Sequence, residues 1–310
     1  MKFIFGPVAS RRLGKSLGID LIPFKTCSFD CLYCELGRTT NKTIERKEYI
    51  SHQIILKNFQ EYLEKLDEPP DYITLSGSGE PTLHSKIGLI ISEIKNITSI
   101  PVAILTNGSI LYQDEVKKDL LEADVVLPSL DTVTPSIFKY LNRPHPSLAI
   151  EKIIEGLKEF RKSFPGEIWV EILLCLGVND NKNEIEKIKN ILQEINPDKI
   201  QLNSVDRPPA EDFVFPLDLE RLEEIKLLIG AKAEIISKRV NQESKTFTKQ
   251  LLSEKERVFS LLKRRPCTLE DISRALGIQR VETAKILDLL RKEDKVHYRI
   301  FNNQCYYQAH

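Results

Sequence analysis

Short runs of β-branched and apolar residues alternate with amphipathic segments through most of this chain. In two such segments, 48–66 and 181–195, apolar residues recur at i, i+3, i+4 and i+7, which indicates helices. Strands that alternate with helices form a parallel sheet rather than a sandwich. We therefore predict an α/β fold whose main part is a partial TIM-type (β/α)6 barrel. The predicted strands cover residues 17–22, 71–77, 101–108, 123–130, 167–176 and 198–205.

Polar or glycine-rich segments follow these strands in the sequence. In barrels of this kind the carboxyl ends of the strands gather at one face, and the ligand binds there. We therefore expect the functional site among these segments. They are the cysteine-containing loop 26–37, "SGSGEPT" (76–82), "TNGS" (106–109), "SLDT" (129–132), "GVND" (177–180) and "NSVDRPP" (203–209).

The composition excludes several classes of protein. Lys plus Arg and Asp plus Glu both number 45, so the chain is not a globally basic nucleic-acid binder. Six cysteines in 310 residues are too few for a disulfide scaffold. The most apolar stretch, 168–178, is half the length of a membrane span and contains Glu171, and Pro7 and Arg11 interrupt the start before any signal-like apolar core. We expect a soluble, cytoplasmic protein with no membrane contact.

Three cysteines, Cys27, Cys31 and Cys34, lie within eight positions at the spacing C-x3-C-x2-C. Thiolates are soft ligands that suit zinc, copper(I) or iron–sulfur clusters. A structural zinc site normally has four ligands, and the nearest histidines, His52 and His84, lie in or beyond predicted helices. Three thiolates can instead hold three irons of a cubane and leave the fourth open for a substrate or cofactor. The alternatives are a structural zinc site or chance clustering.

The triplet, with Tyr33 directly before its last cysteine, resembles the signature of the radical S-adenosylmethionine (SAM) superfamily. "SGSGEPT" resembles the Gly-Gly-Glu element of that family, with Ser78 where the first glycine usually stands. "LTNGS" (105–109) and "PSLDT" (128–132) follow the next two strands, where related enzymes contact SAM. The resemblance covers residues 1 to about 240.

Longer segments are similar to the iron–sulfur oxidoreductase branch that groups with tRNA wyosine-synthase-type proteins. They are 5–20, 25–38, 76–83 and 201–209. The archaeal wyosine enzymes carry a second cluster on additional N-terminal cysteines, which this chain lacks.

The resemblance implies one [4Fe–4S] cluster on Cys27, Cys31 and Cys34, and SAM as the second cofactor. Reductive cleavage of SAM would give a 5′-deoxyadenosyl radical that abstracts hydrogen from a substrate, with a ferredoxin or flavodoxin as electron donor. Position by position, Tyr33 would lie near the adenine, and Gly79 and Glu80 near the methionine amine. Asn107, Ser129 and Asp131 would contact the ribose or the carboxylate, although Asp131 could equally cap the next helix.

Three further residues are candidates for substrate contact. Arg143 and Arg207 would offer positive charge to an anionic substrate at the barrel mouth, and Asn203 follows the last predicted strand. Alternatively, the arginines belong to rigid proline-containing loops, and Asn203 caps a helix. Arg11 and Arg12 could bind phosphate, but pairing with surface acids is the favoured interpretation.

The other cysteines are assigned no ligand role. Cys175 lies in a predicted core strand and is expected to be a small buried apolar side chain. Cys267 and Cys305 are expected to be bystanders. A second cluster built from these three cysteines is the open alternative, because residues distant in sequence can be close in space.

The pattern changes near residue 240, so we predict a radical SAM domain over 1–240, a linker over 241–252 and a separate domain over 253–310. Helices at 253–265, 268–277 and 279–294, followed by a hairpin over 295–308 that turns at Asn302-Asn303, are typical of a winged helix-turn-helix. The third helix carries only one excess positive charge, so protein docking or dimerisation competes with nucleic-acid contact. The predicted nucleic-acid footprint is Gln279, Arg280, Lys295, Tyr298 and Arg299.

The sequence therefore predicts a radical SAM enzyme. An open barrel with an added docking domain favours a macromolecular substrate, a tRNA, a peptide or a protein. Two alternatives remain: an iron–sulfur sensor that binds DNA through the winged helix, and an activase that installs a glycyl radical on a partner enzyme.

Overall fold

A computed structural model of the chain describes residues 3–236, 254–278 and 280–310. Its main feature is an eight-stranded sheet of order β1-β2-β5-β6-β7-β8-β9-β10. Strand β1 pairs with β2 antiparallel, and every other neighbouring pair is parallel. The strands are β1 Ile4–Ser10, β2 Gly14–Ile19, β3 Thr26–Cys27, β4 Asn41–Lys42, β5 Tyr72–Leu75, β6 Val102–Thr106, β7 Val125–Pro128, β8 Glu167–Leu174, β9 Lys199–Ser204 and β10 Ala233–Ile235.

Helices connect the parallel strands, as the alternation in the sequence predicts, and the α/β class is confirmed. All six predicted strands are present, and β1 and the short β10 extend the predicted sheet at its two edges. Asn181 begins α6 by accepting a hydrogen bond from the backbone N–H of Glu184 (3.0 Å). The helices are α1 His52–Leu63, α2 Ile87–Ile97, α3 Asp114–Asp119, α4 Pro135–Leu141, α5 Ile150–Ser163, α6 Lys182–Ile195 and α7 Leu219–Ile229, with a 3-10 turn at Pro81–Leu83.

Both faces of the sheet are buried. Successive residues of a strand point to opposite sides, so each strand contributes side chains to both faces. On β6, Val102 and Ile104 pack in the core shared with the helices. Ala103 belongs to a smaller apolar group on the other face, with Leu13 from the β1–β2 turn and Trp169 from β8. The turn thus covers the sheet face that the helices leave open. None of the helices in the described ranges combines the length and apolar character needed to cross a bilayer.

The C-terminal residues form three helices and a small antiparallel sheet of order β11-β13-β12. Thr268 begins α9 with a capping box to Asp271, and Gly277 ends it in the left-handed conformation. Asn302 and Asn303 both have positive φ, as a tight hairpin turn requires. The elements are α8 Glu254–Leu262, β11 Cys267–Thr268, α9 Leu269–Leu276, α10 Arg280–Lys292, β12 Val296–Phe301 and β13 Gln304–Ala309.

These elements occupy the positions predicted for three helices and a hairpin. Their assignment to a winged helix-turn-helix and the proposed domain limits stay predictions, and the predicted linker (241–252) and Gln279 lie outside the described residues. Of the predicted footprint, Arg280 is exposed and Lys295 pairs with Glu293. Arg299 instead faces the loop after β9, where it donates to the carbonyl of Pro209 (2.9 Å).

The C-terminal elements pack on the edge strand of the large sheet. Val8 of β1 is buried in the same apolar cluster as Val258, Leu261 and Ile272. At the opposite end of the sheet, the Tyr306 hydroxyl donates to the carbonyl of Asp206 after β9 (2.6 Å). The C-terminal elements therefore contact both β1 and the loop that follows β9.

Candidate cluster and cofactor site

The three clustered cysteines lie in the loop that follows β2. Two successive turns shape this loop, since Cys34 N–H donates to the Cys31 carbonyl (3.2 Å) and Gly37 N–H to the Cys34 carbonyl (3.0 Å). Cys27 lies in β3, which pairs with β4. All three side chains are free thiols, and all are partly exposed.

Each of the three sulfur atoms faces a different nitrogen donor from outside the triplet. Hydrogen-bond donors to a cluster sulfur stabilise its negative charge and influence the reduction potential. The contacts are Lys25 Nζ to Cys34 Sγ (3.1 Å), Asn107 Nδ2 to Cys27 Sγ (3.4 Å) and Asn142 Nδ2 to Cys31 Sγ (3.5 Å). The thiols and donors therefore fit an anionic iron–sulfur cluster.

Two of the three thiols, Cys27 and Cys31, have raised pKa values and so favour the neutral form. Burial, with the nearby Glu80 carboxylate, raises the pKa of Cys27 to about 12, and burial also raises the pKa of Cys31. A bound metal reverses this preference, because it deprotonates its thiol ligands. Within the described ranges no three His, Cys, Asp or Glu side chains are arranged around a single metal ion. A cubane presents separate irons to separate thiolates, so its ligands need not converge on one point.

Glu80, in the "SGSGEPT" segment, connects two loops of the site. Its carboxylate is 2% exposed and accepts from Thr82 (N–H 3.0 Å, hydroxyl 2.6 Å), the Thr106 hydroxyl (2.6 Å) and the Asn107 N–H (2.7 Å). Burial raises the pKa of Glu80, while these hydrogen bonds oppose the rise. Asn107 also donates to the Ser28 hydroxyl (2.8 Å). Glu80 therefore positions the residue that donates to Cys27.

Gly79 allows the "SGSGEPT" segment to approach the cysteine loop. A Cβ at this position would lie 2.0 Å from the Thr26 carbonyl oxygen, a distance that a side chain cannot adopt. The backbone N–H of Glu80 donates to the same carbonyl (3.1 Å). The two predicted SAM-binding segments are thus held against each other by backbone contact.

Asp131 organises the opposite side of the cysteine loop. It accepts a short hydrogen bond from the Tyr33 hydroxyl, and others from Asn142 Nδ2 (2.8 Å) and Leu173 N–H (2.9 Å). Burial raises the pKa of Asp131 to about 6 and also raises that of Tyr33. Asn142 therefore contacts both Asp131 and the thiol of Cys31. Sequence reasoning missed Asn142, which has no motif around it and reaches the site only through the position of α4.

The predicted cofactor residues lie in one region of the structure, although only three of them line the same cavity. Asn107, Ser129 and Asp131 line one cavity, together with Asn142, and Tyr33 joins them through Asp131. Gly79 and Glu80 reach this group through Asn107. The structure thus brings the six predicted residues into one connected region beside the cysteines, while their contacts to SAM stay predictions.

A charged group lies on the β8 and β9 strands next to the β1–β2 turn. Arg12 donates to Glu171 through Nε (2.7 Å) and through a shorter contact from Nη2, and Asn203 Nδ2 donates to Glu171 as well (3.0 Å). Burial disfavours the Glu171 carboxylate, but the Arg12 charge together with the hydrogen bonds from Arg12 and Asn203 outweighs burial and lowers the pKa of Glu171. Arg12 therefore pairs with an acid, as the favoured interpretation expects, but the acid is buried and not at the surface, because the β1–β2 turn directs Arg12 inward.

The other two predicted substrate residues are engaged in ion pairs. Arg143 Nη1 contacts Glu211 (2.5 Å). Arg207 is 7% exposed and contacts Glu35, the residue after Cys34, at 3.1 Å. Despite burial, Arg207 and neighbouring arginines lower the pKa of Glu35 to about 2. Substrate contact at either arginine would therefore compete with a carboxylate.

The remaining cysteines lie in other parts of the fold than the triplet, and two of them are on the paired strands β11 and β13. Cys175 is fully buried and packs with Leu32 and Val205, which confirms its prediction as a small apolar side chain. Cys267 is buried in the C-terminal apolar cluster, and Cys305 is partly exposed on β13.

Comparison with known proteins bears on the family and the fold of the chain. The sequence pattern of the Radical SAM superfamily matches residues 21–191. The chain is 39% identical to GTPase Obg of Brachyspira hyodysenteriae over 308 residues, 99% of this chain and 45% of that protein, so it spans less than half of that relative. It is 41% identical to a UPF0026 protein of Methanocaldococcus jannaschii, over 77% of this chain and 73% of the relative.

A solved structure shows the same fold. SuiB of Streptococcus suis, bound to S-adenosylmethionine, superimposes with a TM-score of 0.54 at 13% sequence identity. The superposition covers 70% of this chain and 49% of SuiB. At that identity the likeness concerns the fold.

Proposed function

The chain belongs to the Radical SAM superfamily, whose members use a [4Fe–4S] cluster and SAM, and we propose that Cys27, Cys31 and Cys34 bind three irons of one such cluster. The fourth iron is then left for SAM, since the motif supplies three thiolates. The observation that carries this assignment is the separate nitrogen donor that faces each thiol. A structural zinc ion is normally bound by four protein ligands, whereas this motif supplies three thiolates.

When bound, the cluster and SAM supply reductive cleavage of SAM to a 5′-deoxyadenosyl radical, which abstracts hydrogen from the substrate. The protein's own residues orient the groups involved. Asn107, Asn142 and Lys25 would stabilise negative charge on the sulfur atoms of the bound cluster, while Glu80 and Asp131 hold the two asparagines in place. We further propose a cytoplasmic location and a ferredoxin or flavodoxin as reductant.

SAM would bind across the strand ends between the cysteine loop and β7. Asn107, Ser129 and Asp131 support this placement because they line one cavity, and we assign them to the ribose or carboxylate. Tyr33 would lie near the adenine. The backbone of Gly79 would lie next to the methionine amine, and Glu80 would lie near the same amine.

The substrate that we propose is a macromolecule, a tRNA, a peptide or a protein, as in the wyosine-type branch. The hairpin supports this proposal: Phe301 packs with the apolar cluster that contains Leu32 and is bordered by Tyr33. A large molecule held by the C-terminal elements, which we propose to be a winged helix, would therefore lie beside the barrel mouth. Asn203, Arg143 and Arg207 are the proposed contacts on the barrel side, with an anionic group displacing Glu211 or Glu35.

The test is anaerobic reconstitution with iron and sulfide, reduction by dithionite, addition of SAM, and chromatography for 5′-deoxyadenosine. We expect the product from the wild-type protein and none from the Cys27→Ala/Cys31→Ala/Cys34→Ala variant, which should also lose the brown cluster. Cys175→Ala is the matched control, because it removes a thiol without touching the triplet, and should keep both.

An intact cluster in the triple variant would refute the ligand assignment. A cluster that forms in the wild-type protein but never cleaves SAM, with several reductants and candidate substrates, would instead favour the iron–sulfur sensor. That outcome would direct the next experiment to DNA binding by apo and reconstituted protein.

A further inference from the structure

Asp20, directly after β2, connects the C-terminal elements to the "SGSGEPT" segment. One carboxylate oxygen accepts from the backbone N–H of Ser78 (2.9 Å), and the other pairs with Arg264 Nη2 (2.7 Å). Asp20 is 7% exposed. Gly77 has φ +126°, and a Cβ there would lie 1.5 Å from Asp20 Oδ1. The loop can therefore close on Asp20 only with glycine at position 77.

Ser78 links this contact to the cysteine loop. Its carbonyl oxygen accepts from the backbone N–H of Lys25 (2.6 Å), and Lys25 Nζ in turn contacts Cys34 Sγ (3.1 Å). A continuous series of polar contacts therefore runs from Arg264, through Asp20 and Ser78, to a cluster ligand.

Arg264 is itself held in a fixed orientation. It follows α8, and its Nη1 donates to the carbonyl and the hydroxyl of Ser260 (both 3.0 Å). Its guanidinium carbon lies 4.0 Å from the ring centroid of Phe5 on β1. The side chains of Arg264 and Asp20 are only 11% and 9% exposed. Loss of Arg264 would thus leave a buried carboxylate without its cation, which is more costly than loss of an exposed pair.

We propose that Arg264 is a positioning residue for SAM: by holding Asp20, it orders the Ser78–Gly79–Glu80 backbone that faces the methionine end of SAM. The C-terminal elements are then part of the SAM site, in addition to any role in substrate docking. The inference rests on the proposed contact of Gly79 and Glu80 with SAM.

The test compares Arg264→Met with Arg257→Met in reconstituted protein. Methionine removes the charge and keeps most of the apolar stem. Arg257 lies on α8 and donates to the Leu276 carbonyl (3.0 Å) within the C-terminal elements, so its loss disturbs the same helix without touching Asp20. We expect Arg264→Met to weaken SAM binding by about tenfold, measured by equilibrium dialysis at equal cluster content. Arg257→Met should stay within about twofold of wild type.

Hydrogen exchange supplies a readout that does not need SAM. The Ser78 amide is protected by Asp20, so peptides covering 76–80 should exchange faster in Arg264→Met and not in Arg257→Met. If Arg264→Met does not fold, Arg264→Lys keeps the charge but not the forked geometry, and should show the same effects in smaller degree. Unchanged SAM affinity and unchanged exchange in a folded Arg264 variant would overturn this inference but leave the proposed function standing. Failure of the wild-type protein to bind SAM would overturn the proposed function with it.

Discussion

Glu80 accepts a hydrogen bond from the backbone N–H of Asn107 at 2.7 Å. The two residues follow neighbouring parallel strands, β5 and β6, so the contact joins two loops at the carboxyl edge of the sheet. Glu80, which the sequence motif assigns to SAM, therefore fixes the position of Asn107, and the Asn107 side chain reaches the thiol of Cys27.

Replacing Glu80 with Gln should destabilise the protein by about 1–3 kcal/mol. The Glu80 carboxylate is the acceptor in all four of its hydrogen bonds. In Gln the NH₂ group replaces one of the two oxygens, so an N–H of the side chain would point at an N–H or O–H of its surroundings. Denaturant unfolding of the apo protein measures the loss. Glu61→Gln, on the exposed side of α1, is the control and should change stability by less than about 0.5 kcal/mol. Equal stability of the two variants would contradict the bridging role of Glu80.

Replacing Asn107 with Ala should make the cluster potential more negative. The hydrogen bond from the amide stabilises negative charge on the Cys27 sulfur, and its loss favours the oxidised cluster, which carries less negative charge. A redox titration followed by electron paramagnetic resonance measures the shift. Asn196→Ala is the control, because Asn196 ends α6 in the loop before β9. A potential unchanged from wild type would show that the Asn107 contact does not persist with iron bound.

Replacing Arg12 with Met should cost about 3–5 kcal/mol, because Glu171 would remain as a buried charge without its paired cation. The double variant Arg12→Met/Glu171→Leu should recover much of this loss, since it removes both charges. Thermal unfolding of the wild-type protein, the single variants Arg12→Met and Glu171→Leu, and the double variant forms a double-mutant cycle. Additive effects would mean that the two side chains do not interact.

Glu184 should make the protein acid-sensitive. Its buried carboxylate accepts from the Thr132 hydroxyl (2.5 Å) and from the backbone N–H groups of Val133 (2.8 Å) and Thr134 (3.1 Å). Burial alone would raise the pKa of Glu184, but these bonds lower it below its ordinary value of 4.5. The folded state therefore binds this proton less tightly than the unfolded state, and the stabilisation is fully present above pH 4.5.

The Glu184 contribution is then lost as the pH falls from about 4.5 through the lower pKa of the folded state. We expect the free energy of unfolding to fall more steeply in that window for wild type than for Glu184→Gln. Urea unfolding at a series of pH values tests this. Parallel curves would indicate that Glu184 titrates alike in both states.

The sequence predicts those parts of the molecule that depend on local pattern. Strands such as β6 and β8 are runs of β-branched residues with turn residues behind them, and the cysteine spacing is itself a local signal. Strand β1 was missed because Gly6-Pro7 interrupts its apolar run, and β10 because it has three residues. Such short or interrupted strands form because they pair with a neighbouring strand of the sheet, β1 with β2 and β10 with β9.

The partners of the site were beyond sequence reasoning for a related reason. Asn142 reaches Cys31 across 111 positions, and Arg264 reaches Asp20 across an even longer separation. Nothing in the residues around Asn142 or Arg264 distinguishes them from ordinary loop or helix-end residues. Their roles follow from the order of strands in the sheet and from the packing of the C-terminal elements on β1.

Val8 lies on the first strand, yet the apolar cluster that buries it is built from residues 258–296. A ribosome therefore releases β1 long before its covering exists. At about 5–20 residues per second, the outer face of this strand waits roughly 10 to 50 seconds for its partner. During that interval β1 can pair with β2 but presents Val8 to water and to other nascent chains, so the outer face of β1 is open to misassembly until residues 258–296 have emerged.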